Sequence, residues 1–382
     1  MSQTASQGDF TAMGSVLFVA FELGWTRWRL AFASRIGQPA WQITLPARNV
    51  LALTEAIGKA RQRFGLPSDC PVFSCYEAGR EGFWLHRLLL KMGIHNIIVD
   101  SSSIEVARRA RRAKTDRLDA EKLLSMLLRH HMGEKKLWSV VHVPTPEQED
   151  GRHLQRQIRT LKKEQTRSIN RIRGLLAGQG VAVKASRRGL LESLDSIRIW
   201  DGSLLPSGLR RRLETELARH SFVHRQLLDL ESERNERIRQ SPDHAAEIAR
   251  RLMTLRGIAQ VGAETYGREL CWRGFTNRRQ VGSLIGLTST PHQSGDSSRD
   301  RGISRAGNRH MRGIAIDLAW IWLRQQPHSE LTLWYNRRFA SGSPRLRKIG
   351  IVALARRLTI ALWRFADFGE IPKGALLKSQ TA

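Results

Sequence analysis

The chain has 382 residues, 41% of them hydrophobic, which suits two or three domains with real cores and excludes a basic disordered tail. It carries 63 Lys+Arg against 35 Asp+Glu, a net charge of +28 that points to polyanionic partners, nucleic acid first. Three cysteines, Cys70, Cys75 and Cys271, exclude a disulfide framework and fit a reducing cytosol; the longest mostly apolar run, 313–323, is too short for a membrane span, and secretion is not expected.

The charge is unevenly spread. Residues 1–100 hold ten Lys+Arg and seven Asp+Glu, so +25 of the excess lies beyond them. That near-neutral stretch reads as strands at 16–23, 25–33 and 41–45, a helix over 48–64, a strand over 72–77, a helix over 81–92 and a strand over 95–100. Three consecutive strands predict an antiparallel meander, and strand–helix–strand alternation predicts parallel pairing. This is the ribonuclease-H-like order, with a generic α/β domain as the alternative.

A helix is predicted over 116–130, then a linker over 134–150 around Pro144 and Pro146. Residues 151–174 carry eight Lys+Arg, Lys162 and Lys163 among them, against one Glu, behind a stripe of Leu and Ile at helical spacing. A second long helix is predicted over 207–239. The pair reads as an antiparallel hairpin, an oligomerising coiled coil or a solvated spacer. From about Asp243 the pattern is helical. The turn at 252–263 looks like a helix-hairpin-helix phosphate site or a plain packing turn, Ala259 standing where a second glycine is usual. The expected organisation is an α/β domain over 1–133, a linker and long-helix region over 134–242, and a mainly α domain over 243–382.

Two constellations carry chemistry. Glu22 lies in the first strand, Glu77 ends the fourth, and Asp116 and Asp119 share one face of a helix start. Carboxylates gathered this way suit hard divalent cations such as Mg²⁺ or Mn²⁺; taken singly, Asp116 and Asp119 are helix-start charges and Glu77 a turn residue. Beside them, Arg108, Arg109, Arg111, Arg112 and Lys114 form a cluster suited to a phosphate backbone. The second constellation is a loop over 286–312 whose last fourteen residues contain Arg299, Arg301, Arg305, Arg309 and Arg312. Ser294 there could attack a phosphodiester neutralised by guanidiniums, whereas by composition Ser294-Gly295 is a turn pair.

Tyr76-Glu-Ala-Gly79, Ala113-Lys-Thr-Asp-Arg-Leu-Asp-Ala120, Gln293-Ser-Gly-Asp296 and Gly302-Ile-Ser-Arg-Ala-Gly-Asn-Arg309, in that spacing, resemble the DEDD-type insertion-sequence transposases of the IS one-ten family. The likeness runs from the first strand to Ala353-Leu-Ala-Arg-Arg-Leu358. It implies a RuvC-like metal-dependent domain joined through a coiled coil to a C-terminal transposase domain with a serine nucleophile. It further implies guidance by a structured non-coding bridge RNA, donor and target double-stranded DNA, dimers paired into tetramers, and a bacterial cytoplasmic, nucleoid-associated setting. Carried over by motif, Glu77, Asp116 and Asp119 are the second to fourth acids and Ser294 is the nucleophile, with Ser297, Ser298 and Ser304 as competitors. Glu22 departs from the Asp usual at the first acidic position. A metal-only nuclease of Holliday-junction type and a non-catalytic nucleic-acid-binding protein are the alternatives. Of the eleven tryptophans, those at 25, 28 and 41 in the sheet and at 320, 322 and 334 near the end read mostly as core.

Overall fold

The computed structural model describes residues 15–104, 116–134, 137–182, 194–294 and 297–378, with residues 116, 290–294 and 297–301 described by their backbone alone. The chain divides into two compact units, one ending at Pro144 and the other beginning at Thr145.

The first unit is a five-stranded sheet of β1 (Leu17–Leu23), β2 (Arg27–Ala33), β3 (Trp41–Pro46), β4 (Val72–Glu77) and β5 (His95–Val99), in the order β3-β2-β1-β4-β5. β1, β2 and β3 pair antiparallel, while β4 and β5 join parallel to β1. That is the meander-then-parallel order expected from the sequence. Strand alternation gives the sheet two apolar faces. Leu17, Val19 and Phe21 pack with Leu53 and Ile57 of α1 (Val50–Arg63) and Leu85 and Leu89 of α2 (Trp84–Lys91). Phe18, Ala20 and Cys75 pack with Ala120, Leu123 and Leu127 of α3 (Asp116–His131) on the other face.

The stretch expected as a linker is instead largely built into structure. Leu137 and Trp138 are buried in the α3-side core, Val140 bridges Val99, and α4 (Pro146–Asp150) begins where a break was expected. Pro146 occupies the first helical turn, where its missing N–H costs nothing, and Thr145 and Gln148 form a capping box.

In the second unit α5 (His153–Ala177) and α6 (Ser207–Gln240) form an antiparallel hairpin. Leu154 and Ile158 pack with Val223 and Leu227, while Ile172 and Leu176 pack with Leu213 and Leu217. α7 (His244–Met253), α8 (Gln260–Glu269), α9 (Arg278–Leu284), α10 (Arg309–Gln325), α11 (Glu330–Tyr335) and α12 (Pro344–Phe368) surround a core containing Tyr266, Trp322 and Leu358. The loop expected over 286–312 is in part a β-hairpin, β6 (Ser289–Ser294) paired antiparallel with β7 (Ser297–Ile303). Among the described residues, no helix is long and apolar enough to cross a membrane.

Candidate active site

The last registered pair between β1 and β4 is Phe21↔Tyr76, so Glu22 and Glu77 follow side by side at the carboxyl ends of adjacent parallel strands. Both alternate onto the face that carries Ala20 and Cys75, the face covered by α3. The helix runs against these strands. His131 at its end lies 5.0 Å from the Phe18 ring and 4.5 Å from Phe73, whereas Leu123 accepts from Cys75 Sγ at 3.7 Å. Its first turn, with Asp116 and Asp119, therefore comes to the sheet end that carries Glu22 and Glu77. Glu22 and Asp119 are half-buried and Glu77 is exposed. Among the described residues, no three His, Cys, Asp or Glu side chains already form a metal-ligating group, and the Asp116 side chain lies outside the description.

One neighbour of these acids was not singled out from the sequence. Arg29 is the cross-strand partner of Glu22, fixed by Nε to Gln42 at 2.9 Å and Nη1 to Thr44 at 2.7 Å. Strand register was the available signal. Trp25, expected in the core, is 60% exposed in the turn after β1, with the Arg48 and Arg80 guanidiniums 4.7 and 5.1 Å from its ring. Arg48 holds a left-handed backbone (φ 64°) and is secured by Glu81 at 2.5 Å. Arg108, Arg109, Arg111, Arg112 and Lys114 lie outside the described residues.

In the second unit Ser294 ends β6 in the closing pair with Ser297, and Ser298 pairs with Gln293; their side chains lie outside the description, as do those of Arg299 and Arg301 on β7. Ser304 stands at the opposite end of this ladder, its amide donating to the Thr288 carbonyl at 2.8 Å. Six residues of strand, about 20 Å, separate it from the hairpin tip.

The motif Gly302–Arg309 is the return of the hairpin into α10. Gly307 (φ 76°) lies so close to the Leu284 carbonyl that a Cβ would collide with it, and Arg305 also takes a left-handed backbone (φ 55°). Asn308 caps α10, its Oδ1 accepting from the His310 and Met311 amides. Arg309 is exposed, whereas Arg312 donates to the carbonyls of Ile285 and Ala306 at 3.2 Å and so braces the hairpin base.

Behind this base lies a buried polar network. Glu269, on α8, accepts from Arg156 Nε and Nη2 at 2.9 and 3.1 Å and from Asn308 Nδ2 at 3.3 Å. Burial pushes the nearby Arg273 guanidinium down to about 10, with Glu269 opposing the shift. Burial, with Arg159 adding to it, also lowers the His310 imidazole below its ordinary value, and its Nε2 has no hydrogen-bond partner among the described residues. Arg268 joins Glu264 at 3.1 Å and Asp243 at 2.8 Å. On α5, Lys162 pairs with Glu231 at 2.5 Å and Lys163 is exposed. The turn at 252–263 is engaged by the chain's own tail: Arg256 donates its amide to Leu376, and the Arg256 and Ile258 carbonyls accept from Gln326 and Lys378.

The profile of the family described as "Transposase IS116/IS110/IS902 family" matches residues 249–333, a span that contains the whole β6–β7 hairpin. The chain is 38% identical over 377 residues to the "Putative transposase y4rJ" of Sinorhizobium fredii, covering 95% of each chain. It is 23% identical over 266 residues to the transposase for insertion sequence element IS1328 of Yersinia enterocolitica, covering 68% of this chain and 73% of that one. It is 26% identical over 291 residues to the transposase for IS1111A of Coxiella burnetii, covering 75% and 74%. With near-complete coverage at that first identity, the chain belongs to the IS116/IS110/IS902 family of insertion-sequence transposases.

Proposed function

We propose that the protein is an RNA-guided DNA recombinase that cuts and rejoins strands through Ser294, assisted by a carboxylate site at Glu22, Glu77, Asp116 and Asp119. The observation that carries the reading is the convergence of separate strand ends and a helix start on one edge of a sheet in ribonuclease-H-like order. The donor chemistry fits Mg²⁺ or Mn²⁺, because all four groups are hard carboxylate oxygens and the three described ones lie where two strands end and α3 begins. A bound divalent ion would supply positive charge for an oxygen developing anionic character.

The protein's own groups do the rest. The Ser294 Oγ forms a bond to phosphorus as one ester oxygen of the DNA leaves with a proton as a hydroxyl. The phosphoserine diester conserves the bond, so a second DNA hydroxyl can displace the serine without ATP. Arg299, Arg301, Arg305 and Arg309 neutralise phosphate charge around the hairpin. Lys162, Lys163 and the 108–114 cluster supply backbone contacts for donor and target duplexes and for a structured bridge RNA. Glu22, Glu77 and the α3 acids act on the serine or phosphate of an adjacent subunit in a dimer or tetramer.

The test is covalent trapping of the full chain, expressed with the DNA flanking its own gene. Wild type leaves a detergent-resistant protein–DNA adduct and Ser294→Ala leaves none; an adduct with the alanine variant overturns the serine assignment. Cleavage without any adduct assigns the chemistry to the carboxylates alone. Sequencing the co-purifying RNA should return one structured species from that flanking DNA, and its complex should weaken with salt.

A further inference from the structure

The second unit holds a cavity of about 1260 Å³ away from the hairpin tip, larger than the roughly 300–1,000 Å³ of a small-molecule pocket. One wall is the base of the hairpin, with Ser289, Gly302, Ile303 and Arg305; the other is α12 from Arg345 to Arg364. Its floor is apolar, built from Leu287, Leu331, Val352 and Ile360, and Ile349 stands on it 52% exposed. Its rim is cationic throughout. Arg278, Arg279, Arg345, Lys348 and Arg356 line it, and among the described residues no carboxylate does. At one side the Arg357 guanidinium carbon lies 4.2 Å from the Trp334 ring centroid, within cation–π reach, and both residues line the groove.

This combination selects among polyanions. A duplex offers phosphates but hides its base faces, leaving an apolar floor and a planar stack without partners. An unpaired strand offers both, its bases stacking on aromatic or guanidinium planes while its phosphates meet the rim. Recognition of ribose needs groups that bond the 2′-hydroxyl, and among the described residues Ser289 is the one hydroxyl in the lining. The wall shared with the hairpin decides the source. From Ser289 to Ser294 is five residues, about 17 Å of strand, so the groove begins about that far from the hairpin tip.

We infer that the groove holds an unpaired DNA strand about 17 Å from the phosphate the hairpin acts on, with one base stacked on Arg357 over Trp334. The inference rests on the reading of the hairpin as the cutting element. Such a groove gives strand exchange a place to hold the released single strand.

The test is binding of the full-length protein to a labelled blunt duplex and to the same duplex with a ten-nucleotide single-stranded tail, read by anisotropy without cleavage. Wild type should bind tailed DNA about tenfold more tightly. Arg357→Lys keeps the charge and loses the plane, so it should lose that preference while its duplex affinity stays within about twofold. Ile349→Ser, at an exposed position, should weaken tailed DNA about threefold. Equal binding of tailed and blunt DNA by wild type, or an undiminished preference in Arg357→Lys, overturns the proposal. Tighter binding of an RNA tail than of a DNA tail overturns the choice of strand. A tail preference without any Ser294 adduct removes the cutting reading alone, and an adduct without a tail preference removes the groove alone.

Discussion

In the sheet unit the acids stand where strands stop and a helix starts, half-buried or exposed, and backbone topology alone brings Glu22, Glu77 and the first turn of α3 to one edge. In the helical unit Glu264 and Glu269 are buried within α8, and arginines hold them, one from 113 residues away. A carboxylate deep inside is tolerable only when a cation and hydrogen bonds neutralise it, and it is then committed to the fold. One kept at an edge stays able to exchange partners. Carboxylates left at element ends and carboxylates committed to the fold thus separate by where the chain puts them, not by residue type.

Substitutions can break that contrast. The largest effect should come from Glu22→Gln, which abolishes strand exchange in a recombination assay while leaving thermal stability within about 0.5 kcal/mol. Glu22→Asp should keep or raise activity, and full activity in Glu22→Gln removes the residue from the site. Glu264→Ala should behave in the opposite sense, costing about 3–5 kcal/mol in a denaturant titration because Arg268 is left buried beside one carboxylate fewer. A loss under about 1 kcal/mol would mean that the buried network is ornamental.

Gly307→Ala should cost about 3 kcal/mol, since a left-handed backbone and a collision with the Leu284 carbonyl add together. Gly302→Ala, at φ 84° but with open space around it, should cost only about 1 kcal/mol. The smallest effect is acid dependence. Burial alone would raise Asp243, but hydrogen bonds from Arg268, Ser241 and the Ala246 amide override it and hold the carboxyl at about 2. Its stabilising contribution is therefore present above the unfolded value of about 3.9 and fades as pH falls from there toward 2. Urea midpoints compared at pH 5 and pH 2.5 should show this dependence reduced in Asp243→Asn.

Much of the sheet unit was legible because its strands and helices have a buried face that imposes a period. β1, β4 and α3 lie where apolar spacing put them, and the strand order followed from their sequence. The β6–β7 hairpin was not legible. Ser-Thr-Pro-His-Gln-Ser and Ser-Ser-Arg-Asp-Arg-Gly-Ile carry no apolar alternation to mark a strand. Pro146 read as a break because proline stops helices and starts them alike; only the flanking Thr145 and Gln148 distinguish the two. Trp25 follows the same logic in reverse, an aromatic counted as core that a turn leaves outside. The groove beside α12 draws its lining from elements between Arg278 and Arg364, so no local pattern could announce it.

The grip of Glu269 on Arg156 and Asn308 has a mechanical consequence. Arg156 lies near the start of α5, and at 1.5 Å per residue the far end of that helix is about 32 Å away. A tilt of about 5° at this fulcrum swings the far end by about 3 Å, comparable to one hydrogen-bond length. One carboxylate thus couples the seating of the serine hairpin's return, through Asn308, to the aim of a long lever arm. Altering Asn308 would redirect that arm without touching a residue along its length.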